Sequence, residues 1–137
     1  MRTALIATLA ALALTACVPK VETEGGAAAT AAAAALPAYA PAYPGATIVT
    51  ASKTTVGGVQ AVGVSFATTD TPEQVVAFYK GKLGASGLGP VKEMNLGMGQ
   101  MLVVQDAATG KSVQVMAMKA GDQTSIQVTQ SSAKPES

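Results

Sequence analysis

The sequence predicts an α+β fold, an antiparallel sheet of about five or six strands with one helix packed on one face. The element order is β-β-α-β-β-β(-β), preceded by a signal peptide and a disordered linker. Three observations carry this. Two β-rich runs, Ala46–Thr54 and Val59–Thr68, flank Gly57-Gly58, a pair suited to a primed hairpin turn because such turns need positive φ. Thr71-Pro72-Glu73-Gln74 supplies a helix start, with Thr71 as N-cap, Pro72 at the first helical position and Gln74 closing a capping box. The last third alternates apolar and polar residues between turn signals, the mark of half-buried strands.

Four segments are expected: a leader over 1–16, an acylated cysteine and Ala/Gly/Pro linker over 17–42, a single domain over 43–130, and a disordered tail over 131–137. The leader begins with Met1-Arg2, a short basic start, and runs through the apolar stretch Thr3–Leu14. A bilayer-spanning helix needs roughly 20 apolar residues, and this run meets Lys20 and Glu22 too soon. It closes on Leu14-Thr15-Ala16-Cys17, which holds the only cysteine of the chain.

That tetrapeptide resembles the lipobox of bacterial lipoproteins. The resemblance implies cleavage between Ala16 and Cys17, a diacylglyceryl group on the Cys17 sulfur and a third acyl chain, such as palmitate, on its freed amine. At about 0.8 kcal/mol per buried CH₂, such chains hold a small domain on a membrane essentially permanently. Val18 rather than Asp at the next position resembles an outer-membrane address, so the expected location is the bacterial envelope, on the outer membrane facing the periplasm.

Without the leader, eight Lys balance eight Asp and Glu. A neutral chain has no electrostatic reason to seek nucleic acid. From Val18 to about Ala42, Ala, Gly, Thr and Pro dominate, and the only large side chains near its end are Leu36, Tyr39 and Tyr43. As a coil this linker would reach on the order of 25–30 Å from the membrane.

Within the domain, pairing across Gly57-Gly58 puts Val62, Val64 and Phe66 on one face with Val49 and Ala51, and Ala61, Gly63 and Ser65 on the other. The helix after Thr71 carries Val75, Val76, Phe78, Tyr79 and Leu83 on one stripe and ends at Gly84. Tyr43-Pro44-Gly45-Ala46, the hairpin, and Thr71-Pro72-Glu73-Gln74-Val75-Val76-Ala77-Phe78-Tyr79 together resemble small bacterial envelope domains with a Tyr-Pro-Gly-Ala start and a Pro-Glu-Glu-Val…Phe-Tyr helix. The resemblance spans roughly Pro41 to Thr129 and implies a fold, not an activity. Leu88 stands where that type often has tryptophan.

Strands are then expected at Gly89–Met94, Gln100–Asp106, Lys111–Lys119 and Gln123–Gln130, with turns at Ala107–Gly110 and Gly121-Asp122. This register sends Leu102, Val104, Val113, Val115, Ala117, Ile126 and Val128 to the core. Met101, Val103, Met116 and Met118 form an apolar patch on the otherwise polar outer face.

The chain has no histidine, which excludes imidazole-based catalysis and metal binding. Its acids fall at caps, strand ends and turns, no two placed as an acid–base pair. The expectation is a non-enzymatic envelope module with no cofactor, its partners the membrane, through the acyl chains, and a protein meeting the Met101, Val103, Met116 and Met118 patch. One alternative is soft-metal binding: thioethers select Cu(I), and Met98, Met101, Met116 and Met118 share that face. Another is an apolar ligand or lipid held between helix and sheet.

Overall fold

In a computed structural model, residues 21–24, 33–34 and 36–132 are described. Seven strands form one antiparallel sheet: β1 (Val21–Glu24), β2 (Thr47–Val56), β3 (Val59–Thr68), β4 (Lys92–Asn95), β5 (Gly99–Gln105), β6 (Ser112–Ala120) and β7 (Gln123–Ser132), in the spatial order β1-β2-β3-β7-β6-β5-β4. One helix, α1 (Pro72–Gly84), packs across β5 and β6. The α+β class and the β-β-α-β-β-β-β order are as expected, with β1 added at one edge.

Local chemistry explains α1. Thr71 Oγ1 accepts from the Gln74 N–H, and Gln74 Oε1 accepts from the Thr71 N–H, so two otherwise orphaned donors are satisfied reciprocally. Val75, Val76, Tyr79 and Leu83 face the sheet and are buried. Opposite them lie Leu102, Val104, Val113, Val115, Ala117, Ile126 and Val128, every one without solvent exposure. The register is therefore the one the two turns dictate.

At one position the hairpin departs from the expectation. Ala51 faces Val64 and Lys53 faces Val62, but Phe66 faces Ile48 rather than Val49. A bulge inserts Val49 as an extra residue, leaving it 62% exposed, while Ile48 packs on the core.

The boundaries differ at both ends. The stretch that composition marks as linker contains β1, paired with β2 from Val21↔Thr54 to Glu24↔Ala51. Further along, Ala33, Leu36 and Ala40 are buried in the same core as α1, with Tyr39 packed against it. Hydrogen bonding fixes the approach: Tyr79 donates its hydroxyl to the Pro41 carbonyl at 2.9 Å, and Tyr43 donates to Asp70 Oδ2 at 2.7 Å. Tyr43, Phe78 and Tyr79 stack as a trio with centroids 5.1 to 6.1 Å apart. Because α1 lies across β5 and β6, the inner face of the remaining strands needs other apolar cover, and this segment joins the core beside α1. At the other end β7 runs on to Ser132, into the expected tail. The leader, Ala16 and Cys17 lie outside the described residues.

Candidate functional site

The outer face of the sheet is set by strand alternation. Because residues paired across antiparallel strands share a face, Met94, Met101, Met116 and Gln127 form one row running across β4, β5, β6 and β7. The next row holds Lys92, Val103, Gln114 and Thr129; the one on the other side holds Gly99, Met118 and Ser125. Met101, Val103 and Met116 are half-buried, while Met94 and Met118 are more open.

Three of the patch residues thus meet as the sequence register has them: Met101 lies opposite Met116, with Val103 beside them. Met118 extends the patch by one row. Met98 does not join it. It sits on the β4–β5 turn, its carbonyl accepting from the Lys119 N–H at 3.2 Å and its side chain largely in solvent. The sequence reading counted Met94 among the clustered methionines but did not place it in the patch. The signal was the turn Asn95–Gly99, where Leu96 N–H bonds to Gly99 C=O at 2.8 Å and Asn95 Oδ1 caps Gly97 N–H at 2.9 Å, closing a hairpin that puts Met94 across from Met101.

Electrically this face is almost blank. Among the described residues of β2 to β7, Lys53, Glu93 and Lys119 fall in inner-face rows, opposite Val62, Leu102 and Thr124, and Lys92 is the one charge on the outer side. Glu93 reaches Lys80 of α1 at 2.8 Å, a solvent-exposed pair of small energetic value. Around the methionines and Val103 the outer face is Ser, Thr, Gln, Gly and Ala, with Val56 and Val59 at the far tip of β2 and β3. The Met101 sulfur accepts a contact from Gln114 Nε2 at 2.9 Å, so it is already engaged.

A second feature is a cleft of about 680 Å³ at the end of the sheet where α1 begins. Asp70, Glu73, Asn95, Met98, Lys119 and Asp122 are among its walls. Of these, Asp70 is tied into the fold. Asp70 takes the Tyr43 hydroxyl, its carbonyl takes Thr124 Oγ1 at 2.6 Å, and its N–H bonds Thr68 Oγ1 at 3.3 Å. Burial, followed by the hydrogen bond and charge of Asp70, pushes the Tyr43 phenol up to about 12, and burial, then the neighbouring Tyr43, raises Tyr79 as well. These shifts keep both phenols neutral donors; neither is poised as a base near neutral pH.

Among the described residues no group of three acidic, cysteine or histidine side chains is placed to hold a metal ion. Val75, Tyr79 and Leu83 of α1 are fully buried where the helix packs on β5 and β6.

A family model described as START domain-like matches residues 48–134, more than half of the 137-residue chain. No curated protein matches, and no solved structure matches.

Proposed function

The chain belongs to the START domain-like family, and on that scaffold we propose that it is a non-enzymatic interaction module, lipid-anchored through Cys17 in the bacterial envelope, that associates with a second copy of itself through its outer sheet face. The observation that carries this reading is the blank face itself. A surface with Lys92 as its single charge offers no sign pattern to select a foreign partner, and it meets its own image without repulsion. The Met94, Met101, Met116 and Met118 thioethers, with Val103, supply an adaptable apolar centre for such a contact, ringed by small polar residues. Six strands about 4.8 Å apart, each presenting about seven residues at ~3.3 Å, offer roughly 650 Å², close to the ~800 Å² per partner of a standard interface. Anchoring confines copies to one surface and raises their effective concentration.

Two measurements test it. Mass spectrometry of the mature chain should give an N-terminus at Cys17 carrying acyl chains; an unmodified N-terminus elsewhere refutes the anchor. In the acylated chain the Cys17 sulfur is capped, so Met116→Cys introduces the sole free thiol. Oxidation should yield a covalent dimer, while Ala77→Cys on the exposed side of α1 should not. No dimer at 116, or equal dimer at 77, refutes the self-association.

A second reading follows from family membership: an apolar ligand or lipid held between helix and sheet. Since Tyr79 and Leu83 are fully buried under α1, it requires α1 to move outward. Delipidated protein should then take up a long-chain fatty acid with a rise in melting temperature.

A further inference from the structure

The path of β1 relates the anchor to the orientation of the sheet. Val21 pairs with Thr54 and Glu24 with Ala51, so the chain enters β1 from the end of the sheet where the Gly57-Gly58 turn lies. Only residues 18–20 separate Cys17 from Val21. Whatever their conformation, four residue steps span at most about 14 Å. An acylated Cys17 therefore holds this end of the sheet against the bilayer.

The same end carries an apolar tip. Val56 is 58% exposed and Val59 39% exposed, paired across Gly57 and Gly58, whose φ of 57° and 83° make the tight turn that leaves both valines outward. Residues 47–68 contain no carboxylate, and their one charge, Lys53, lies in register with Glu22 of β1, which leaves the Val56–Val59 tip itself uncharged. Exposed valines at a tip would be unremarkable alone; placed within reach of an acyl anchor they face a specific surface.

We propose that the β2–β3 tip is a membrane contact, in which Val56 and Val59 enter the headgroup region of the anchoring bilayer and stand the sheet upright on it. This rests on acylation at Cys17. It puts the cleft and the Met98 and Asp122 turns at the opposite pole: nine residue steps from Val59 to Thr68 at ~3.3 Å place them about 30 Å further out. It also turns the blank outer face sideways, toward other proteins anchored in the same leaflet.

The test uses the full acylated chain in phosphatidylethanolamine/phosphatidylglycerol vesicles, with a polarity-sensitive fluorophore on Val59→Cys or, separately, on Asp122→Cys. Lipids carrying a headgroup-level nitroxide should quench the label at 59, whose emission shifts to the blue, and leave the label at 122 unquenched. An acylated chain whose label at 59 is unquenched overturns the membrane contact, as does equal quenching at both positions, which would mean the domain lies flat. Quenching at 59 that persists in Val56→Asp also overturns it, since a buried carboxylate should lift the tip. A chain found by mass to lack acyl groups fails at the anchor instead, which separates the two outcomes.

Discussion

Replacing Leu36 by Ala asks whether the stretch before Tyr43 belongs to the fold. Leu36 is 9% exposed and sits in the core with Ala33, Ala40 and Tyr43. A buried Leu→Ala change costs about 2–5 kcal/mol, the low end where the surroundings can close over the gap. This segment lies at the margin of the core, so about 2 kcal/mol is expected. For a domain of this size each kcal/mol lowers Tm by about 4–8 °C, giving a fall of roughly 10–15 °C. Far-UV circular dichroism melts of the chain with Cys17→Ser, which removes the proposed acylation site without touching the domain, would read it. Leu96→Ala is the control: at 48% exposure on a turn it should cost under about 0.5 kcal/mol. If Leu36→Ala melts within 2–3 °C of its parent, a shift that ~0.5 kcal/mol would account for, residues 33–43 are a tether after all and the domain begins at Tyr43.

Three further outcomes are expected. Gly99→Ala would drive a Cβ into the Ala117 carbonyl oxygen and the Met118 backbone, and overpacking against fixed backbone costs about 1–3 kcal/mol; a lowered urea midpoint should register it, and an unchanged one would mean that β5 and β6 are not so close. Tyr43 and Tyr79 have phenols held above their unfolded value, so the stability they lend is complete below about pH 10 and is lost as pH rises toward 12; ellipticity and phenolate absorbance should fall and rise together there, and Tyr43→Phe should blunt the alkaline transition. Cu(I) competition against a chelator should give equal affinities for the parent and Met101→Ala/Met116→Ala, because Gln114 occupies the Met101 sulfur and no imidazole assists; a weaker double variant would restore the thioether site.

Much of the architecture can be traced to local chemistry. The capping box of Thr71 and Gln74 and the stripe Val75, Val76, Tyr79, Leu83 mark α1 in the local sequence, although packing on the sheet stabilises it. The two glycine turns set a register, and because side chains alternate with a period of two, the register alone divided Leu102, Val104, Val113 and Val115 from Met101, Val103 and Met116. The pairing of Met101 with Met116 was legible for that reason. Met94 was not, since its place depends on how the Asn95–Gly99 turn closes.

What only the tertiary structure decided is where long-range packing outvotes composition. Val49 reads as a core strand residue, yet a bulge ejects it so that Ile48 meets Phe66. Leu36 and Ala40 sit in an Ala/Pro run with no periodicity, and they are buried because α1 covers β5 and β6 and leaves core beside it for this segment to join. Local propensity is carried by each residue's own backbone and neighbours; burial is a property of the surface it lands on, and that surface exists only once distant strands have paired.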